Sequence, residues 1–180
     1  MLYGYDDMLR RYGSAYQIGK AVDSGTVYKI ARGLYSDEKH PNPNAVACAL
    51  WPQAVLTMDS AFCLHGLTDV VPELVHVATP RNSTRIRDTR IRQYFMEPAL
   101  MSVGVETTGG EGSAIRTFTL ERMLVELLRN AGALPLDYYK ELIASYRKIA
   151  GDLDMREVED CMALYKRADS LFDMMQREVL

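Results

Sequence analysis

The sequence predicts an α+β chain in two parts, and three observations carry that prediction. A short amphipathic helical segment runs into a glycine-turned basic hairpin, a central group of apolar segments is broken at glycines, and the pattern changes to a 3.6-residue period from Thr119 onward. Helices alternate with strands without regular βαβ units, which argues against a doubly wound sheet. The first part is expected over residues 1–38. The second, over residues 44–180, is expected to hold a small, mainly antiparallel sheet followed by a helical tail.

At the start of the chain, Tyr5, Met8, Leu9 and Tyr12 share one face of a helix whose charges lie opposite. Ser14 is a fit N-cap for a second helix over about residues 15–24, and Gly25 supplies the left-handed residue that stops it. On that helix Ala15, Ile18, Gly19 and Val22 gather on the packing side, with Tyr16, Gln17, Lys20 and Ser24 on the solvent side. Residues 27–30 read as a strand, Ala31-Arg32-Gly33 as a tight turn with Arg32 at its tip, and residues 34–36 as the returning strand. Two helices followed by a hairpin form a winged helix-turn-helix module of the kind that meets DNA.

The exposed helix face carries a phenol, a carboxamide and an ammonium group, suited to phosphate and base-edge contacts in a major groove. Tyr16, Gln17 and Lys20 are therefore the candidate reading residues, with Lys29, Arg32 and Arg11 as candidate phosphate contacts. The plainer reading of the same residues is a small structural cap with a solvated polar face.

The stretch at 37–44, polar and broken by Pro41 and Pro43, disfavours helix and reads as the domain boundary. Residues 45–51 form a short apolar helix ended by Pro52, and Thr57 or Asp59 can cap another that stops at Gly66. Strands are expected at 74–79, 90–96, 103–108 and 114–118, with the glycine-rich turn at 109–112 joining the last two. Leu120, Met123, Leu124, Leu127 and Leu128 form the apolar stripe of a helix ending near Asn130, and Pro135 opens another that stops at Gly151.

The 180 residues are 48% hydrophobic, enough for a buried core, and the formal net charge is −3. Attraction of the whole protein to nucleic acid is thereby excluded, so any basic surface must be local. Local surpluses exist: residues 1–36 carry five basic against three acidic side chains, and residues 81–97 carry five against two. Cys48, Cys63 and Cys161 are widely spaced among apolar residues and read as small buried hydrophobes of a reducing compartment, with no disulfide framework or zinc site indicated. The chain opens without a signal pattern, and the apolar run at 45–51 is far short of the roughly 20 residues that span a bilayer. A cytoplasmic protein without membrane contact is expected.

Several motifs, in order and spacing, carry a family resemblance. They are Tyr12-Gly13-Ser14-Ala15-Tyr16-Gln17-Ile18, Tyr28-Lys29-Ile30-Ala31-Arg32-Gly33-Leu34-Tyr35, Leu56-Thr57-Met58-Asp59-Ser60-Ala61-Phe62, His65-Gly66-Leu67-Thr68-Asp69 and Glu121-Arg122-Met123-Leu124-Val125-Glu126-Leu127. Over nearly its whole length the chain resembles the AbiEi family of antitoxins and transcriptional regulators from bacterial type IV toxin–antitoxin operons. The resemblance implies a winged helix that binds double-stranded promoter DNA and represses the operon. It also implies a C-terminal domain that neutralises a nucleotidyltransferase-like toxin, direct contact with the toxin not being assumed. Family winged helices often begin with an additional helix, whereas only residues 1–4 precede the first helix here. In a module this short, DNA binding is expected either to be weak or to need two protomers on an inverted repeat. The alternative is an interaction module with a vestigial winged helix that binds a toxin or another protein directly.

Other candidate chemistry is weaker. Arg85, Arg87, Arg90 and Arg92 could form a second basic surface, or simply the solvated charge that keeps an edge strand soluble. His65 and His76 read as structural, and Asp59, Asp69 and Glu73 have neither a phosphate loop nor a closely spaced ligand pair beside them. Arg122 and Glu126, spaced i,i+4, are expected to pair along a helix surface. No catalytic residue, metal site or cofactor is expected, and the chain is not read as an enzyme.

Overall fold

The computed structural model describes residues 1–110 and 112–180. Glu111, part of the expected turn at 109–112, lies outside the described residues. The fold is α+β, and the chain divides into two units: Met1–Ala54 with Thr107–Ile115, and Val55–Glu106 with Arg116–Leu180.

The first unit runs β1 (Leu2–Gly4), α1 (Tyr5–Tyr12), α2 (Ala15–Asp23), β2 (Tyr28–Ala31), β3 (Leu34–Ser36) and α3 (Pro43–Leu50). Gly13, at φ 79°, ends α1 by donating its N–H to the Leu9 carbonyl. Ser14 then caps α2, its hydroxyl oxygen accepting from the Gln17 N–H at 3.3 Å. β2 and β3 form the expected hairpin. Gly33, at φ 77°, makes the turn after Arg32 and takes a conformation that an L side chain resists.

β1 is not apparent from the sequence. It pairs antiparallel with β3, Leu2 opposite Ser36, giving the sheet order β1-β3-β2. Under this sheet and the two helices lies a core of Met8, Ile18, Ala21, Val27 and Tyr35. The packing stripe of α2 differs from expectation: Ile18 and Ala21 are buried while Ala15 and Gly19 are exposed. Tyr5, expected on the packed face of α1, is exposed as well. The Asn42 side chain caps α3, and α3 packs against β1. The polar stretch at 37–44 is therefore a connection inside the first unit, and the division falls between Ala54 and Val55.

The second unit contains β4 (Val55–Leu56), α4 (Met58–Leu64), β5 (Val75–Pro80) and β6 (Ile91–Met96). It continues with β7 (Val105–Thr108), β8 (Ile115–Phe118), α5 (Leu120–Arg129), α6 (Leu136–Ile149), α7 (Met155–Ala163) and α8 (Ala168–Glu178). The strand order is β6-β5-β4-β8-β7, and the tip of the β7–β8 hairpin, residues 107–115, counts with the first unit.

The sheet corrects the expectation of a mainly antiparallel arrangement, because it is mixed. β4 pairs antiparallel with β5 but parallel with β8, and β5 runs parallel to β6 from Val75↔Ile91 to Pro80↔Met96. The cause lies in the arginine-rich segment, which carries the chain back so that β6 begins beside the start of β5. A tight hairpin would have reversed the strand instead.

α5 is buried along the whole run 122–128 and forms the centre of the second unit's core, with Phe62, Phe118, Leu142, Tyr146, Val158 and Met175 around it. The pair Arg122 and Glu126, expected on a helix surface, is inside this core. Apolar residues of α7 and α8 cover the side of α5 that the sequence leaves to solvent. No described helix is long and apolar enough to cross a membrane.

Candidate nucleic-acid interface

Five of the six candidate DNA-contacting residues in the first unit lie on α2 and the hairpin that follows it. The Ser14 cap and Gly25, at φ 72°, fix where α2 starts and ends, and burial of Ile18 and Ala21 fixes its rotation. Tyr16, Gln17 and Lys20 consequently face solvent, with Tyr16 68% exposed. Lys20 Nζ stands 5.0 Å from the centroid of the Tyr16 ring, a cation–π pair that holds the ammonium group along the helix surface. Gln17 and Lys20 also line an open depression with Tyr12 and Thr26.

Lys29 on β2 and Arg32 at the hairpin tip are exposed and have no side-chain partner among the described residues. Arg11, on α1, lies 5.5 Å from the Tyr3 ring and 5.6 Å from the Tyr12 ring, so its guanidinium is positioned between two aromatic side chains. Neighbouring Arg10 is tied to Asp7. The Gly4 N–H donated to Asp7 Oδ2 at 2.9 Å, together with the bond from Arg10, holds the Asp7 carboxyl below its usual range. The arrangement offers cations and hydrogen-bonding groups on a helix and a hairpin, which is the chemistry of a phosphate-backbone and base-edge contact.

In the second unit, Arg85, Arg87, Arg90 and Arg92 are all exposed, but they do not act alike. Arg90 is held by Asp88 in a two-point contact at 3.0 and 2.7 Å, which neutralises it. Arg92 lies over the Tyr94 ring at 5.7 Å. Arg85 and Arg87 have no side-chain partner among the described residues and are the open charges of the segment.

Two groups in the second unit are not legible as clusters in the sequence, where of all their contacts only the Arg122–Glu126 pair is expected. His76, buried on β5, directs Nδ1 toward Tyr94 Oη at 3.3 Å and Asp59 Oδ2 at 3.6 Å. Burial pushes the His76 imidazole below its ordinary pKa and nearby Arg92 pushes the same way, while Asp59 opposes them. The Ser60 hydroxyl oxygen accepts from the His76 backbone N–H at 2.8 Å rather than facing the ring, so the two do not form a nucleophile–base dyad. His65 places Nε2 2.7 Å from the Phe118 carbonyl, which only accepts, so Nε2 carries the proton in a structural bond.

The second group surrounds Glu126. Its Oε1 accepts from Arg122 Nε at 3.0 Å and from Tyr165 Oη at 2.6 Å, and its Oε2 accepts from Arg129 Nη1 at 2.6 Å. Arg129 also stacks on the Tyr165 ring at 3.7 Å. Burial and the Glu126 carboxylate raise the Tyr165 phenol well above its ordinary range, so it stays neutral. Among the described residues, no cluster of His, Cys, Asp and Glu is arranged to hold a metal ion.

Neither the protein-family models nor the curated proteins return a match to this chain.

Proposed function

We propose that this chain is the antitoxin and autoregulatory repressor of a toxin–antitoxin operon, binding promoter DNA through α2 and the β2–β3 hairpin. The observation that carries the reading is the order β1-α1-α2-β2-β3 with strands arranged β1-β3-β2, which presents α2 and the hairpin tip with Tyr16, Gln17, Lys20, Lys29 and Arg32 exposed. A capped helix following a glycine turn, with a wing of basic residues beside it, suits a helix in the major groove and a hairpin on the phosphates. The resemblance of its motifs to those of AbiEi proteins supports the operon context, and suppression of a nucleotidyltransferase-like toxin belongs in this reading to the second unit.

The test is binding of the purified protein to its own upstream DNA and to scrambled DNA of equal length across a salt series. Tighter binding to the upstream fragment, with affinity falling as salt rises, is the expected result. Equal or absent binding would overturn the repressor reading in favour of an interaction module acting on a protein partner.

A further inference from the structure

Gly19 stands at the middle of α2, and it is the one glycine inside an α-helix among the described residues. Glycine is the poorest helix former after proline, so a helical position with room for a side chain is better served by almost any other residue. Neither usual reason for a glycine holds here. The backbone at Gly19 is ordinary right-handed helix, its φ not being positive, and a Cβ there would find nothing within 4 Å beyond α2 itself. The position is exposed, and the fold gains nothing from the missing side chain.

What Gly19 leaves is bare backbone beside the candidate reading residues. At 100° per residue, Gly19 and Lys20 flank Tyr16 on opposite sides, with Lys20 held along the helix by its contact with the Tyr16 ring. Lys20 has no carboxylate partner among the described residues, which suits a polyanion. An α-helix with its side chains is about 10–12 Å across and a B-DNA major groove about 12 Å wide, so the clearance on either side is smaller than a methyl group. Asp23, one turn beyond Gly19, is exposed and repels phosphate, which places close contact at Gly19 and before it rather than at the end of the helix.

Building on the operator-binding reading, we propose that Gly19 is the point at which α2 seats against one sugar–phosphate wall of the major groove. The missing side chain sets how deeply the helix enters, and that depth decides whether Gln17 and Lys20 reach base edges.

The test compares the full chain with its Gly19→Ala and Gly19→Leu variants, both of which favour the helix. Thermal unfolding, sedimentation and binding to the upstream and scrambled fragments across a salt series are measured for all three. Gly19→Ala should melt about 2–4 °C higher, yet bind upstream DNA about tenfold more weakly, the loss of roughly one base contact. Gly19→Leu should bind more weakly still without melting below the parent. The salt slope should stay that of the parent because no cation is removed, and affinity for scrambled DNA, which is electrostatic, should change by less than about threefold. Unchanged upstream affinity in both variants would overturn the proposal while leaving operator binding intact, as would an equal loss on scrambled DNA. A lower melting temperature for Gly19→Ala or a changed oligomeric state would overturn it by assigning the glycine to packing, within the chain or between copies. A parent chain that does not prefer its upstream fragment would overturn the operator reading itself, and this inference with it.

Discussion

Arg122 and Glu126, one turn apart on α5, meet guanidinium to carboxylate at 2.9 Å with neither side chain exposed to water. Two further Arg122 bonds, to the carbonyls of Leu100 and Val103, satisfy Nη1. The stability of the pair depends on its completeness, because each ion was stripped of water to enter the core. Glu126→Ala would leave Arg122 buried without a counter-charge and should cost about 3–5 kcal/mol in urea unfolding. Replacing both residues by apolar side chains of similar volume should cost distinctly less. If Glu126→Ala cost under about 1 kcal/mol, the value of a solvated ion pair, the buried pair would not have the role described.

Lys20 and Arg32 are both exposed and contribute nothing to either core. Lys20→Ala combined with Arg32→Ala should lower operator affinity and flatten its salt slope by about one unit for each phosphate left without its cation. The melting temperature should stay within a few degrees of the parent. Unchanged affinity in the double variant would remove these two residues from the DNA interface.

The depressed His76 imidazole predicts an acid-side loss of stability. In the unfolded chain the ring takes up a proton near its ordinary value of 6.5, whereas in the folded chain burial holds protonation off to lower pH. The unfolded state therefore binds more protons in the window below 6.5, and stability must fall as pH is lowered through it. Unfolding followed between about pH 7.5 and 5 should show this decline, and His76→Gln should make it shallower. An unaltered pH profile in that variant would assign the decline to other groups.

Gly104 stands at φ 62° against α5, and a Cβ there would lie 2.6 Å from Arg122 Cβ and 3.1 Å from Cys161 Sγ. Neither neighbour can move freely: Arg122 is held by its bonds, and Cys161 is fully buried in the core. Gly104→Ala combines a clash with a strained backbone and should cost about 2–4 kcal/mol by chemical denaturation. Gly33→Ala, where nothing lies within 4 Å, meets only the backbone penalty and should cost about 1 kcal/mol. Similar losses for the two would contradict the close packing at Gly104.

What the sequence makes legible here is local chemistry. Ser14, Gly25 and Gly33 announce their roles because a cap or a left-handed turn is decided within a few residues. Strands β1 and β4, of three and two residues, are too short to show a period and exist only through their partners. On α5 the stripe from Leu120 to Leu128 identifies one buried face, but an i,i+4 charged pair looks the same whether water or another helix lies beyond it. The surface of α2 is readable because exposed polar groups state their own chemistry. The Glu126 group is not, since Tyr165 reaches Glu126 and Arg129 only through the packing of distant parts of the chain.

Residues 107–115 belong with the first unit although some fifty residues of the second precede them, and the Leu2 N–H donates to the Gly112 carbonyl at 2.7 Å. The chain thus leaves the first unit, returns to it and leaves again. The DNA-contacting head of the proposed repressor is therefore not a cassette that one genetic crossover could graft onto another regulator. A protein cut after Ala54 would lose a strip of the head along with the body, so inheritance of the two units is coupled by the path of the backbone itself.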